Sequence, residues 1–331
     1  MAGDLKYMKR LKITTLIVML IAIVISSAVY IKGTASKSDN SKKNESTITT
    51  KAPEDDGLTF SVLGDVHGNA AKLDNAINDL YSVKGNMDAM ILNGDNVDQG
   101  LKSQYDAIKN TLNKDRELLP KTIIKNIGNH DYFDYQKGPN KPEDVERFKN
   151  MYLDFAGEKS VYHDTWIKGY HFISLGSESG NTKELGAVNA FLSQKQLDWL
   201  KEKLAEKHEK GKPIFVFLHQ HLSTSIKGWM GVEQRRELNK ILSSYPEVIL
   251  FTSHTHVLLS IDNIKQNQPF TTAHTGAVSY AILPEDYKIK RLYDENQGLY
   301  VEVKGNKTTI KGRDFVKKSW IFSKEVSSPG E

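Results

Sequence analysis

The chain contains no cysteine among its 331 residues. That absence excludes disulfides, thiolate metal ligands and thiol catalysis together, and with them the modified thiol of a bacterial lipoprotein. It is compatible with an oxidising compartment without requiring one. A basic surplus is missing as well. The net charge of +4 resides in residues 1–55, which hold nine Lys/Arg against five Asp/Glu, while the rest of the chain carries 36 of each. The remainder lacks the electrostatic footprint of a nucleic-acid binder, and no nucleic-acid partner is expected. No internal repeat is present. The composition, 39% hydrophobic and 26% charged, is ordinary for a globular protein, and the length suffices to bury one large core.

The N-terminus has its own character. Lys6, Lys9, Arg10 and Lys12 precede an apolar run over residues 13–31. At about 1.5 Å per residue such a run nearly spans a hydrocarbon core of roughly 30 Å. The basic flank places that end in the cytoplasm and everything after it outside. The expectation is an uncleaved single-pass membrane anchor; the alternative is a cleaved signal segment ending near Ser26 and Ala28. Residues 32–56 are Ser-, Lys- and Asn-rich without apolar periodicity and read as a flexible linker.

Five short stretches then concentrate Asp, Asn and His: Gly64-Asp65-Val66-His67-Gly68-Asn69, Gly94-Asp95-Asn96-Val97-Asp98, Gly128-Asn129-His130-Asp131, His219-Gln220-His221 and Ser253-His254-Thr255-His256. Carboxylate, amide oxygen and imidazole suit borderline divalent metals. Each stretch follows a β-branched or aromatic run, at 58–63, 87–93, 122–127, 213–218 and 248–252. Such runs predict buried strands, so the polar residues gather at the C-terminal edge of a sheet, where sites form in α/β proteins. Apolar spacings of three and four predict helices over 70–81 and 193–207, the second with Ser193 as cap. Residues 161–175 read as a hairpin and 299–313 as two further strands. If the segments bearing Asp65/His67 and His254/His256 are extended, alternation puts each pair on one face.

Taken in order, the five blocks resemble the calcineurin-like metallophosphoesterase superfamily, in a bacterial, membrane-anchored form: D-x-H, G-D-x-x-D, G-N-H-[D/E], a lone His after a strand, and G-H-x-H. The resemblance runs from about residue 58 to 277 and extends to Leu192-Ser193-Gln194-Lys195-Gln196-Leu197-Asp198-Trp199-Leu200. It implies an α/β fold, a four-layer α/β/β/α sandwich preceded by the N-terminal transmembrane helix. It also implies two divalent metal ions, drawn from Mn, Fe, Zn or Co with Mn favoured. One would be held by Asp65, His67 and His256, the other by Asn129, His219 and His254, with Asp95 shared. A bridging hydroxide would attack phosphorus. His130 would face the leaving group, paired with Asp98 or, alternatively, Asp131. Asn69, Asn129 and His130 would contact substrate oxygens, although capping the following helix explains Asn69 equally. His221 is expected at the rim, and His163, His171, His208 and His274 in structural roles.

Departures narrow the subfamily. Gln99 stands where Ser/Thr protein phosphatases have a phosphate-binding Arg, and Asp98 where purple acid phosphatases have a Tyr ligand. Ser253 replaces a Gly. The expected activity is hydrolysis of a small phosphoester, diesters slightly ahead of monoesters or nucleotides, with a non-catalytic metal-binding module as the other class. Substrate choice is assigned to the loops at 132–157, 177–190 and 223–235. There Tyr132, Phe133 and Tyr135 either pack the insertion or stack on a base, and Trp229 and Met230 stand at a rim. No protein partner is predicted. The expected domain plan is a cytoplasmic flank (1–12), anchor or signal (13–31), linker (32–56), catalytic domain (57–315) and tail (316–331).

Overall fold

The computed structural model describes residues 57–223, 229–285 and 288–329. The basic flank, the apolar run and the linker lie outside the described residues, among which no helix is long and apolar enough to cross a membrane.

Two six-stranded sheets carry the domain. The first has the order β14-β13-β12-β1-β2-β3, from β1 (Leu58–Leu63), β2 (Ala89–Asn93), β3 (Thr122–Asn126), β12 (Gln297–Lys304), β13 (Lys307–Asp314) and β14 (Ser319–Ser327). The second has the order β4-β5-β6-β7-β9-β8, from β4 (His163–Ile167), β5 (Tyr170–Ser174), β6 (Ile214–Phe217), β7 (Val248–Thr252), β8 (Ile264–Gln268) and β9 (Phe270–His274). A separate hairpin joins β10 (Ala281–Glu285) to β11 (Lys288–Leu292). The helices are α1 (Ala70–Val83), α2 (Lys102–Lys114), α3 (Pro142–Ala156), α4 (Gln194–Ala205) and α5 (Arg235–Leu242).

Strict alternation along the strands builds the layers. In β2, Ala89 and Ile91 face the second sheet, while Met90 and Leu92 face α1, α2 and α3. In β7, Ile249 and Phe251 join Phe60, Phe172, Phe215 and Phe217 between the sheets. Val248 and Leu250 instead pack with Leu197, Leu200, Leu238 and Leu242 of α4 and α5. Three cores therefore separate four layers, α/β/β/α. Helix α1 starts where the first motif ends, with Asn69 Oδ1 accepting from Lys72 N; Ser193 caps α4 in the same way through Gln196 N.

The parallel sets β1-β2-β3 and β5-β6-β7-β9 end on the same side as the five motifs. Two expectations need correction. Residues 319–327, expected in a tail, form β14 instead, which pairs with β13 along nearly its full length; its exposed, polar alternation hid it in the sequence. The motif segments are also not extended. Asp65, His67, Asp95, His254 and His256 all take left-handed φ, between 48° and 77°. They share a site because of tight turns, not strand alternation, and such strain in non-glycine residues concentrates where the surrounding fold enforces it.

Candidate metal centre

The turns interlock through the backbone. Asp65 N donates to Gly94 O, His67 N to Asp95 O and Gly68 N to Asn96 O, at 2.9–3.2 Å. His254 N donates to Asp65 Oδ2 at 3.1 Å, and His130 N to Asp95 Oδ1 at 2.8 Å. Glycines permit this closeness: a Cβ on Gly94 would run into the His219 ring, and one on Gly128 into Asp95 itself. Ser253 is accommodated because its hydroxyl turns away from the cluster, toward Asn93 Nδ2 (2.9 Å) and Thr275 Oγ1 (2.8 Å).

Two donor groups converge, Asp65/His67/His256 and Asp95/His219/His254. A third, His67/Asp95/His130, lies across them. Each histidine of the first two has one nitrogen already committed. His219 Nδ1 donates to Asn93 O (2.9 Å), His256 Nδ1 to Tyr280 O (3.0 Å) and His254 Nε2 to Met230 O (3.1 Å). His67 Nδ1 sits 3.3 Å from Asp98 Oδ1. The opposite nitrogens face inward and, once deprotonated, present lone pairs to a cation, the arrangement in which outer hydrogen bonds fix the tautomer of a ligating imidazole. His67 Nε2 and His256 Nε2 stand 3.0 Å apart, with Asp65 Oδ1 3.2 Å from His256 Nε2. Asp65 Oδ1, Asn129 Oδ1 and His219 Nε2 are buried without any hydrogen-bond partner. Orphaned acceptors of this kind are costly, and divalent cations bound at this cluster would supply the missing partners. The residues fit divalent metal ions.

The electrostatics agree. Burial disfavours a charged His67 and His219, yet the neighbouring aspartates outweigh it and push His67 up to about 10 and His219 up to about 9. The aspartates thus hold positive charge at this spot. Burial and the nearby His219 keep His254 well below the usual imidazole range, hence neutral.

His130 lies beside the donors. Its Nδ1 donates to the Asp98 backbone oxygen at 2.9 Å, with the Asp98 carboxylate 3.5 Å away. Asp131 is elsewhere: it accepts from Gly128 N and from the Tyr105 hydroxyl, both at 2.7 Å, and serves the loop. Burial and the Asp95 carboxylate push Asp131 up to about 7. Asn69 Oδ1 is taken by the helix cap. His221 binds Trp229 O and Ser223 N, His171 pairs with Asp164 and His208 with Glu247, and none of them enters a donor group. Tyr132 is buried with its hydroxyl on Ser177 O. Tyr135 is exposed, and its hydroxyl reaches Asp98 Oδ1 at 3.1 Å.

Several participants carry no sequence signal. The carbonyls of Asn93, Met230 and Tyr280 orient three histidines, and a backbone oxygen leaves no trace in residue type. Gln99, read as a missing arginine, accepts from Tyr135 N and ties that loop to the second motif. A cavity of about 480 Å³ borders the same turn, lined by Thr255, Val257, His274 and Phe270.

The family described as calcineurin-like phosphoesterase matches residues 58–258. No curated protein matches the sequence. Among solved structures, the purple acid phosphatase PPD1 from yellow lupin seeds superposes with a TM-score of 0.56 at 13% identity, over 82% of this chain and 53% of that one. The chain thus spans about half the length of the lupin protein. GAP50 of Plasmodium, described as the anchor in the inner membrane complex, also superposes with a TM-score of 0.56 at 13% identity, over 83% of this chain and 90% of its own. At such identities the likeness concerns the fold.

Proposed function

The chain belongs to the calcineurin-like phosphoesterase family of phosphoric ester hydrolases, and from that premise we propose that it hydrolyses a small phosphoester at a dinuclear metal centre, with phosphodiesters slightly favoured. The observation that carries the proposal is the convergence of inward lone pairs and orphaned acceptors on one spot, with Asp95 common to two of the three donor groups.

In this reading Asp65, His67 and His256 would hold one ion, Asn129, His219 and His254 the other, and Asp95 would serve both. The ions, with Mn favoured, would supply an activated water near neutral pH and neutralise phosphoryl oxygens. The protein's own task is positioning. His130 Nδ1 is anchored on the Asp98 carbonyl, so Nε2 is the nitrogen left to meet the leaving-group oxygen and give it a proton. The Asp98 carboxylate, 3.5 Å away, balances the charge of the protonated ring. Asn129 and the Asn69 amide nitrogen are placed in the same reading to steady the non-bridging oxygens. We further propose, from the basic flank and the apolar run over 13–31, that this domain is tethered to a membrane on its extracytoplasmic face.

A monoesterase or nucleotidase would use the same groups. A non-catalytic module is the other reading, since the fold also occurs in a protein described as an anchor, and fold alone does not decide activity. Presence of every donor together with His130 favours catalysis. Manganese-loaded protein should hydrolyse bis(p-nitrophenyl) phosphate and p-nitrophenyl phosphate, and Asp95→Asn should abolish both activities. Fully loaded wild-type protein that turns over neither would sink the enzymatic reading.

A further inference from the structure

The rim of the site carries an aromatic arc. The Tyr280 ring stacks on His256 at 4.2 Å and 29°, and lies 5.9 Å from His67. Tyr293 continues outward, 5.5 Å from Tyr280. On the other flank His130 stands 4.3 Å from His67, with Phe133 at 4.4 Å and Tyr135 at 6.4 Å from His130. The two ends of the arc, Tyr135 and Tyr293, are 59% and 65% exposed. Phenol rings left in water forfeit burial, and exposed apolar surface grouped at the mouth of a polar site marks a binding surface.

The Tyr280–Tyr293 flank is held firmly. Ile282 N donates to His256 O at 2.6 Å, so β10 starts by hydrogen-bonding the turn that bears two donors. At the hairpin's root, Lys72 of α1 donates to the carbonyls of Ser279, Tyr293 and Glu295. Asn296 Nδ2 donates back to Lys72 O at 2.9 Å. Arg291 on β11 brings an exposed cation within 5.8 Å of the Tyr280 ring centroid. The base of the hairpin is thus tied both to the donor turn and to the helix that follows Asp65 and His67. All these hairpin residues lie beyond the matched stretch 58–258.

We propose that Tyr280, Tyr293 and Arg291 form a recognition wall that selects phosphoesters carrying a flat aromatic ring on their non-scissile part, stacked on the tyrosines, with Arg291 hydrogen-bonding an acceptor on that ring. The proposal rests on the phosphoesterase reading above. Stacking tolerates any flat ring, so the wall sets a class of substrate and not one compound. Because the wall grips ground state and transition state alike, its loss raises KM more than it lowers kcat.

The test compares two esters with one leaving group, thymidine 5′-(p-nitrophenyl phosphate) and methyl p-nitrophenyl phosphate, on the manganese-loaded full chain. Wild type should prefer the thymidine ester in kcat/KM by roughly 5- to 150-fold, the range that one stacked ring contributes. Tyr293→Ala and Arg291→Ala should each erode that preference through KM, and Tyr293→Phe should retain it. Calorimetric binding of thymidine 5′-monophosphate, weakened by Tyr293→Ala but not by Tyr293→Phe, is the independent readout. Turnover of both esters without preference overturns the wall and leaves the hydrolase standing. Turnover of neither, with binding still dependent on Tyr293, removes the hydrolase reading and keeps the wall. A preference or an affinity unchanged in Tyr293→Ala overturns it outright.

Discussion

Asp79→Ala would leave a guanidinium stranded in the interior. Asp79 on α1 accepts from Arg313 Nε and Nη2 of β13 at 2.7 and 2.9 Å, a two-pronged pair whose side chains are only 2% and 9% exposed. The register between β13 and β14 shifts at Gly312/Arg313 and passes over Ile321 of β14, next to this side chain. Removing one partner of a buried pair costs about 3–5 kcal/mol, since the remaining charge keeps its desolvation penalty and loses its counter-charge. Trp320, 4.8 Å from the guanidinium carbon, keeps Arg313 from swinging freely into water. For a domain of this size roughly 2 °C of Tm follows each kcal/mol, so a fall of about 6–10 °C is expected by circular dichroism. Replacing both residues by apolar ones of similar volume, Asp79→Leu with Arg313→Met, should recover most of it, because neither charge is then buried alone. A single-variant loss under about 1 kcal/mol, or a double variant as unstable as the sum of the singles, refutes the reasoning. The experiment also asks whether the C-terminal strands, outside the family match, are integral to the domain.

Two further outcomes follow from the same structure. Stripping the metals should destabilise the protein, since the buried atoms Asp65 Oδ1, Asn129 Oδ1 and His219 Nε2 then lack partners; at a free ion concentration a hundredfold above Kd, one site contributes about 2.7 kcal/mol, and a Tm indifferent to both chelator and added Mn²⁺ would exclude a metal centre here. Acidification should destabilise the domain through His274, which burial and the charge of His221 push down to about 4, and whose Nδ1 accepts from Gly276 N while Nε2 meets Thr255 Oγ1. Its folded value lies below its unfolded one, so the stability it contributes is complete above about pH 6.5 and is lost as the pH falls toward 4, at most about 3 kcal/mol because the ring also borders the cavity. Urea titrations across that window check this, and a His274→Gln variant with an unchanged slope would show that another group is responsible.

Legibility in the sequence varied with the kind of information each feature needed. Strand and helix runs were plain, because burial on alternate faces imposes a period of two and helix packing a spacing of three and four. Helix α1 runs to Val83, two residues beyond the reading, and α4 begins after the cap that Ser193 announces. Strand β14 was missed because a half-exposed edge strand shows little apolar alternation. The paired role given to Asp98 could be read only as a possibility; in the fold its carbonyl, more than its carboxylate, holds His130.

The sequence by itself determined the chemical inventory: which side chains can ligate, that thiols cannot, and that each candidate group follows a buried strand. Those facts depend on residue type and local period alone. Only the tertiary structure decided how they meet. Left-handed turns, not extended backbone, bring Asp65 and His67 together with His254 and His256, and carbonyls from three distant segments choose which imidazole nitrogen faces inward. The aromatic rim at Tyr280 and Tyr293 belongs to the same category. It arises because a hairpin some twenty-five residues past the last motif is hydrogen-bonded back onto it, and contacts between segments far apart in the chain leave no local pattern to read.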